Sequence, residues 1–247
     1  MGMHLQFVGC GDAFGSGGRF NTCFHVTSSQ TNFLIDCGAS SMVALRRFDV
    51  DIHGVDIILV THFHGDHFGG IPFLMLDAQL VSHRTRPLII AGPRGLPDRY
   101  ARAMDVAFPS SPQQPTGFQL ILQEIDIGIA TQVGAINVTA YPVRHTEAAG
   151  PCVGYRMNVD DKVLAYSGDT EWTESLIDIG RDADLFICEA YTRTKPIRTH
   201  TNVATLEAHL GEIKPKRLIL THMSADMLWN LDEVPHEKAA DGLTVTI

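Results

Sequence analysis

The 247-residue chain lacks long apolar runs: its longest stretches are about five to seven residues, whereas a membrane span needs about 20. We therefore expect no membrane partner. Residues 1–20 also lack the charged segment followed by an apolar segment that marks a secretory signal, which predicts a cytoplasmic protein. The five cysteines are scattered and include no C-x-x-C pair. They are expected to be reduced, mostly buried thiols, which gives a redox or zinc-finger role little support.

Basic residues are also few. The chain has 19 Lys and Arg against 28 Asp and Glu, a net charge of −9, and its densest basic stretches are residues 83–86 and 214–217. A protein that grips long nucleic acid normally presents many Lys and Arg on one face. The charge therefore argues against a large nucleic acid as the partner.

What the chain does contain is a series of short apolar runs typical of strands, separated by Gly and Asn/Asp turns. Helical spacing occurs at Met42–Phe48, Pro97–Val106, Trp172–Ile179 and Val203–Leu210, with Thr201 or Asn202 as the N-cap of the last. This mixture predicts one α/β domain over residues 1–247, with two sheets and helices packed outside. The proline-rich stretch Phe108–Gly117 is predicted to be a loop, either a surface connector or a lid. The tryptophans Trp172 and Trp229 are expected to be packing residues rather than base-stacking platforms.

Four metal-competent side chains lie within the six residues from His62 to His67, directly after the apolar run Val55–Thr61. This run reads as a buried strand, so the cluster follows a strand end, where α/β proteins usually build their sites. Imidazole and carboxylate ligands suit zinc, manganese or iron. Because the cluster is denser than one tetrahedral ion needs, it predicts half of a two-metal hydrolytic centre.

Three further polar residues follow apolar strands in the same way: His145, Asp169 and His222. Taken singly, each has an ordinary alternative, as a loop histidine, a turn or helix cap, and a capping residue. Two cations about 3.5–4 Å apart repel unless a carboxylate bridges them, and Asp169 is the natural bridge. Three histidines beside Asp169 would hold one ion, and Asp66, His67 and His222 beside Asp169 the other. The complete candidate ligand set is His62, His64, Asp66, His67, His145, Asp169 and His222.

Together these motifs resemble the metallo-β-lactamase superfamily. His62–His67 is similar to its H-x-H-x-D-H signature, and His145, Ser167–Thr170 and Leu220–His222 match its later motifs in order. The resemblance implies a four-layer αββα sandwich with two divalent ions at one edge, zinc first and manganese or iron as alternatives. It also implies a homodimer. Within the superfamily the chain looks most like the phosphodiesterase branch, which includes ribonuclease Z and small cyclic-phosphate phosphodiesterases.

The same resemblance implies three catalytic residues: Asp66, His200 and Glu189. His200, in Thr199-His200-Thr201-Asn202, would donate a proton to the departing alkoxide; its alternative is an ordinary histidine at a helix start. Glu189 has two readings of equal weight, a carboxylate that orients a catalytic histidine or a solvated charge at a strand end.

The leading prediction is a dinuclear metal phosphodiesterase for small phosphodiesters or cyclic nucleotides. Ribonuclease Z typically carries a tRNA-gripping arm between the His145 and Asp169 motifs, but positions 146–168 leave only 23 residues here, enough for a hairpin. This departure favours a small substrate over tRNA 3′ processing, which remains an alternative. A second alternative is a hydrolase of lactones, thioesters or β-lactams, against which His200 argues. A third is a degenerate binding module, against which the full ligand set argues.

Overall fold

The structure is a computed structural model and describes residues 2–111 and 116–247. Residues 112–115 lie outside the described part of the chain, and with them the centre of the loop predicted at Phe108–Gly117. The fold consists of two sheets of seven strands each, numbered here in chain order.

The first sheet has the order β14-β1-β2-β3-β4-β5-β6. Its strands from β3 to β6 are parallel, whereas β14, β1, β2 and β3 pair antiparallel. Parallel strands need crossovers, and helices supply them here. The strand bounds are His4–Gly9 (β1), Cys23–Thr27 (β2), Asn32–Ile35 (β3), Ile57–Leu59 (β4), Leu88–Gly92 (β5), Leu120–Glu124 (β6) and Thr244–Thr246 (β14).

The second sheet has the order β13-β12-β11-β10-β9-β8-β7, parallel from β10 to β13 and antiparallel from β7 to β10. Its strands are Ala130–Val133 (β7), Ile136–Pro142 (β8), Val153–Val159 (β9), Lys162–Tyr166 (β10), Leu185–Glu189 (β11), Leu218–Thr221 (β12) and Glu237–Lys238 (β13). Most of residues 146–168 thus form the predicted hairpin, with Lys162 opposite Val159 in the β9–β10 ladder.

The helices of the described residues are Ser41–Arg47 (α1), Gly65–Phe68 (α2), Ile71–Leu80 (α3), Leu96–Ala107 (α4), Ser175–Gly180 (α5), Val203–Ile213 (α6) and Ala225–Trp229 (α7). Asn202 caps α6 as expected, because its side chain accepts a hydrogen bond from the Thr205 N–H at 2.9 Å. None of these helices is both long and apolar enough to cross a membrane.

Three apolar layers hold the elements together. Residues such as Phe7, Phe24 and Tyr155 pack between the two sheets. A second layer joins the outer face of the first sheet to α1, α3 and α4, and a third joins the outer face of the second sheet to α5, α6 and α7. The result is the four-layer αββα sandwich that the sequence predicted.

Some local expectations were wrong. Helix α3 was missed because its residues are apolar on most sides, so no amphipathic period is visible; six of its ten residues are buried. Trp229 is 84% exposed rather than packed, whereas Trp172 is partly buried against the third apolar layer. All five cysteines are free and buried, as expected.

Candidate metal centre

Strand ends from both sheets meet at one edge of the sandwich and carry the candidate ligands. β4 in the first sheet leads into His62 and α2, and β8, β10 and β12 in the second lead into the other three ligand motifs. The structure therefore brings together every ligand predicted from the sequence, in two groups that both contact Asp169; His200 forms a third, overlapping cluster with His145 and Asp169, in which the potential ligand atoms lie within 4.8 Å of one another. We call the first two the open group and the buried group.

The open group consists of His62, His64 and His145, beside Asp169. The Nδ1 atom of His64 lies 3.1 Å from the Nε2 atom of His62 and 3.0 Å from the Nε2 atom of His145. One carboxylate oxygen of Asp169 lies 4.0 Å from His62 Nε2 and 3.9 Å from His145 Nε2. His64 and His145 are only partly buried, so this group faces outward.

The buried group consists of Asp66, His67, Asp169 and His222, all of which are buried. The Nε2 atom of His67 lies 3.2 Å from Asp169 Oδ1 and 3.4 Å from Asp66 Oδ2, and the Nε2 atom of His222 lies 3.2 Å from Asp169 Oδ2. Oδ1 and Oδ2 of Asp169 each face a histidine nitrogen of the buried group, and Oδ2 also faces the open group. This is the placement that a bridging carboxylate requires.

Two glycines make this geometry accessible. Gly168 has φ 60°, and a Cβ there would stand 2.6 Å from the Val153 carbonyl oxygen, so only glycine fits the turn that presents Asp169. A Cβ on Gly38 would stand 2.1 Å from the Asp66 carbonyl oxygen. Because glycine has no Cβ, the chain after β3 can pack closely against the ligand helix α2.

Asp36, which sequence reasoning missed, organises both groups. Its carboxylate accepts hydrogen bonds from His67 Nδ1 at 2.7 Å and from the Thr61 hydroxyl at 2.9 Å. Since the Thr61 hydroxyl donates to Asp36, its oxygen accepts from His62 Nδ1 at 3.1 Å. One buried carboxylate therefore turns the Nε2 lone pairs of two histidines toward the centre. Asp36 directly follows the apolar run of β3, so the strand-end rule that revealed the ligands could also have revealed it.

The electrostatics suit a cation. Burial lowers the pKa of four ligand histidines, namely His62, His64, His145 and His222. The pKa of His222 falls to about 4. These imidazoles are therefore neutral and able to bind a metal ion. Burial also lowers the pKa of His67, but the carboxylates of Asp169, Asp66 and Asp36 together raise it well above its usual range. The buried group thus concentrates negative charge that a divalent ion would neutralise.

The donor set passes a structural test for metal binding. Among the buried side-chain polar atoms of residues 2–111 and 116–247, His67 Nε2 and Asp169 Oδ1 have no hydrogen-bond partner. Both point into the centre, where an orphaned buried polar atom costs free energy unless an ion satisfies it. In the open group the nitrogens of His62 and His145 both converge on His64 Nδ1, which can donate only one hydrogen.

His200 lies beside the open group. Its Nδ1–H donates to Glu189 Oε2 at 2.9 Å, and Glu189 is fully buried and also accepts from the Thr170 N–H. Burial lowers the pKa of His200, but the Glu189 carboxylate and its hydrogen bond outweigh burial and raise that pKa to about 9. Of the two readings of Glu189, the structure shows the carboxylate that orients His200, not a solvated charge.

Two further residues missed from the sequence hold this corner. The Thr199 carbonyl accepts a hydrogen bond from His145 Nδ1 at 2.9 Å, and Thr199 has φ 72°, a strained value for a β-branched residue. The Tyr191 ring stacks on His200 with centroids 4.5 Å apart. His222 also has a left-handed backbone, with φ 56°.

Two cavities open beside the centre. One of about 360 Å³ is lined by His200 together with Glu171, Trp172, Ile197, Arg198 and Asn202. The other, of about 410 Å³, is lined by His145 and residues around Arg144 and Cys152. We call them the His200 cavity and the His145 cavity.

Comparisons with known proteins agree with this fold. The chain is similar to the metallo-β-lactamase fold protein YhfI from Bacillus subtilis, with a TM-score of 0.80, 20% identity and 99% of each chain covered. It is also similar to a diphosphatase from the PhnP family, with a TM-score of 0.78, 19% identity and 99% and 98% covered. In sequence it is 32% identical over 142 residues to a ribonuclease Z of Lachnoclostridium phytofermentans (strain ATCC 700394 / DSM 18823 / ISDg).

That match covers 58% of this chain and 44% of the ribonuclease Z, and two further ribonucleases Z are covered over 44% and 49% of their length. The chain therefore spans about half the length of these curated relatives.

The structural neighbours establish the metallo-β-lactamase fold. The model of the family described as Anti-Pycsar protein Apyc1 matches residues 3–238, and the chain belongs to that family.

Proposed function

We propose that this protein is a phosphodiesterase that holds two divalent metal ions, zinc first, and hydrolyses small phosphodiesters or cyclic nucleotides. The observation that carries the proposal is the Glu189–His200 pair beside the open group. The ring of His200 is fixed by a buried carboxylate and lies 5.0 Å from the ring of His145 by centroid, within reach of Asp169, so it is placed to protonate a leaving oxygen.

The residues divide the work between them. His62, His64, His145 and Asp169 would hold one ion, and Asp66, His67, His222 and Asp169 the other. When bound, such ions lower the pKa of water and neutralise the phosphoryl oxygens. Asp36 and Thr61 keep the ligand nitrogens aimed inward, and the Asp66 carboxylate would contribute one of the negative charges that hold the ion of the buried group.

His200 supplies the proton that the leaving oxygen needs, and Glu189 keeps its ring oriented and protonated. Because Nδ1 of His200 donates to Glu189, the other ring nitrogen carries the transferable proton. A nitrophenolate leaves readily without such help, but the alkoxide of a nucleoside does not. The pair therefore favours phosphodiesters with a poor leaving group.

Several observations support a small substrate. The β9–β10 hairpin occupies the position where an RNA-gripping arm would have to be inserted, and the net charge is −9. The structural similarity to a diphosphatase of the PhnP family points the same way. We also propose a cytoplasmic homodimer from the family resemblance; light scattering of the purified protein would test the dimer.

The test is hydrolysis by purified protein loaded with zinc, manganese or iron. We expect turnover of bis(p-nitrophenyl) phosphate and of at least one cyclic mononucleotide, with about two ions per chain by elemental analysis. No turnover of either substrate at full metal occupancy would overturn the proposal.

A second candidate is endonucleolytic processing of tRNA 3′ ends, favoured by the sequence similarity to ribonuclease Z. The same protein can be incubated with a precursor tRNA. Cleavage at a rate comparable with the cyclic mononucleotide would make this the better assignment.

A further inference from the structure

Residues 239–243, which we call the crossover segment, join β13 in the second sheet to β14 in the first. The Ala239 N–H donates a hydrogen bond to the Leu220 carbonyl of β12 at 2.8 Å. The Gly242 N–H donates one to the Phe7 carbonyl of β1 at 2.7 Å. Both ends of the segment are therefore fixed, one on each sheet.

Asp241 lies at the middle of the crossover segment, and its carboxylate holds two other parts of the chain. Oδ1 accepts a hydrogen bond from the Cys10 N–H at 3.1 Å, and Oδ2 accepts one from the Phe20 N–H at 2.8 Å. Oδ1 also accepts from Cys10 Sγ at 3.2 Å. Because the two N–H groups meet different oxygens, the position suits a carboxylate, whereas an amide would turn its NH₂ group toward one of them.

Cys10 connects Asp241 to the metal centre. The Cys10 carbonyl accepts hydrogen bonds from the His222 N–H at 3.2 Å and from the Thr221 hydroxyl at 3.4 Å. Asp241 thus holds the N–H of the same residue whose carbonyl holds the backbone of a candidate ligand.

His222 needs support at its backbone. Its φ of 56° lies in the left-handed region, which is uncommon for a residue other than glycine and persists only where the surrounding structure fixes it. Behind its imidazole there is only a long contact, 3.5 Å from Nδ1 to Thr22 Oγ1, whereas His67 Nδ1 lies 2.7 Å from the Asp36 carboxylate. The position of His222 Nε2 therefore depends more on the backbone than that of His67 does.

From these contacts we propose that Asp241 is a positioning residue for the metal ligand His222 and acts through Cys10. The inference rests on the proposed two-metal function. Without the carboxylate, Cys10 loses the acceptor that fixes its N–H, and its carbonyl no longer holds His222 in the left-handed conformation. The imidazole then withdraws from the ion of the buried group.

The open group does not depend on this contact. His62 Nδ1 is held by the Thr61 hydroxyl, and His145 Nδ1 is held by the Thr199 carbonyl. Loss of the Asp241 carboxylate should therefore weaken one ion and leave the other in place, which a general loss of stability would not do.

The experiment compares metal retention in Asp241→Ala, Asp241→Asn and a matched control, Asp160→Ala. The Asp160 carboxylate also accepts three hydrogen bonds from another part of the chain, from Ser29 and Gln30, but it lies at the opposite end of β10 from Asp169. Zinc-loaded proteins are titrated with a chelator, and the released zinc is measured.

We expect the wild type to release zinc in two steps. In Asp241→Ala the affinity of the second step, from the buried group, should fall about tenfold, the lower end of the range for groups behind a metal ligand, and the first step should stay within about twofold. Asp241→Asn, which keeps an acceptor for one of the two N–H groups, should give an intermediate shift. Asp160→Ala should match the wild type in both steps.

Cobalt-loaded protein gives a second readout, because the visible absorption of Co²⁺ follows its ligands and their geometry. At full loading the bands of Asp241→Ala should differ from those of the wild type, and the bands of Asp160→Ala should not. If Asp241→Ala does not fold, the same two measurements on Asp241→Asn decide the question.

The outcomes separate the two proposals. If the wild type takes up no metal, the two-metal function fails and the positioning role fails with it. If it takes up two ions but hydrolyses no phosphodiester, the phosphodiesterase function fails, and the release steps still decide the role of Asp241. If it hydrolyses phosphodiesters, but Asp241→Ala shifts neither step, shifts both equally or is matched by Asp160→Ala, Asp241 does not position His222 although the function stands.

Discussion

The two ligand groups share Asp169 but differ in how the protein surrounds them. The buried group is closed off from solvent and is anchored by Asp36, directly through His67. The open group includes two partly exposed histidines and adjoins His200 and both cavities. The buried group is therefore suited to retaining its metal ion, and the open group to admitting substrate. We expect the ion of the open group to exchange more readily than the ion of the buried group.

The largest loss of activity is expected from a substitution of Asp169, which both ligand groups share. Asp169→Asn removes the charge that both groups share, so we expect loss of metal and a fall in kcat/KM of at least about 10⁴-fold, since Lewis-acid ions contribute several kcal/mol. Elemental analysis and turnover of a cyclic mononucleotide measure it. Asp161→Asn, in the exposed β9–β10 turn, is the control. Retention of both ions with normal turnover would show that Asp169 is no bridge.

His200→Ala should separate chemistry from metal binding. We expect kcat to fall about 10²- to 10³-fold with unchanged metal content, because the donor lies outside both ligand groups. His64→Ala, in contrast, should lose the ion of the open group as well as activity. His236→Ala is the control, because His236 is a partly buried histidine paired with Glu207. An equal loss of metal in His200→Ala would mean that His200 is a ligand.

Asp36→Ala tests the anchoring of the buried group. We expect its metal affinity to fall about 10- to 100-fold, because His67 loses the acceptor that fixes its ring. A chelator titration, monitored by metal release, should show two steps in the wild type, with the ion of the open group leaving first. In the variant the second step should occur at a lower chelator concentration. If metal is released in a single step that is the same in the wild type and the variant, the two groups do not differ in how firmly they hold their ions.

Glu189→Gln should produce the smallest effect of the four substitutions, a shift in the pH dependence of kcat. His200 must be protonated to donate, and its raised pKa keeps it so up to about pH 9. Wild-type kcat should therefore fall as pH rises through about 9. Without the carboxylate charge the pKa of His200 drops, so the alkaline limb should move to lower pH. A limb that stays in place would exclude His200 as the group that titrates.

The sequence was sufficient to predict the sandwich and to nominate the ligands, because both follow from local patterns. Polar residues directly after parallel strands converge at the carboxyl edge of a sheet, as Asp169 and His222 do in the second sheet. His62 follows a strand of the first sheet and joins them because the two sheets meet at that edge. Strand β9 was missed because it contains no continuous apolar run, although the alternation of Val153, Tyr155 and Met157 with Gly154, Arg156 and Asn158 is itself a strand pattern that could have predicted it.

The supporting residues could be predicted only in part. Asp36 follows an apolar strand as the ligands do, but its partner His67, 31 positions away, is known only from the fold. Thr199 acts through a backbone carbonyl that any residue type could provide, so its role leaves no mark in the sequence. The exposed position of Trp229 likewise depends on where α7 lies and not on the residue itself.

The strained Thr199 couples two residues of the proposed mechanism. Its carbonyl accepts a hydrogen bond from His145, a proposed ligand, and the next residue along the chain is His200, the proposed proton donor. We therefore expect any displacement of this one peptide unit to disturb both residues together.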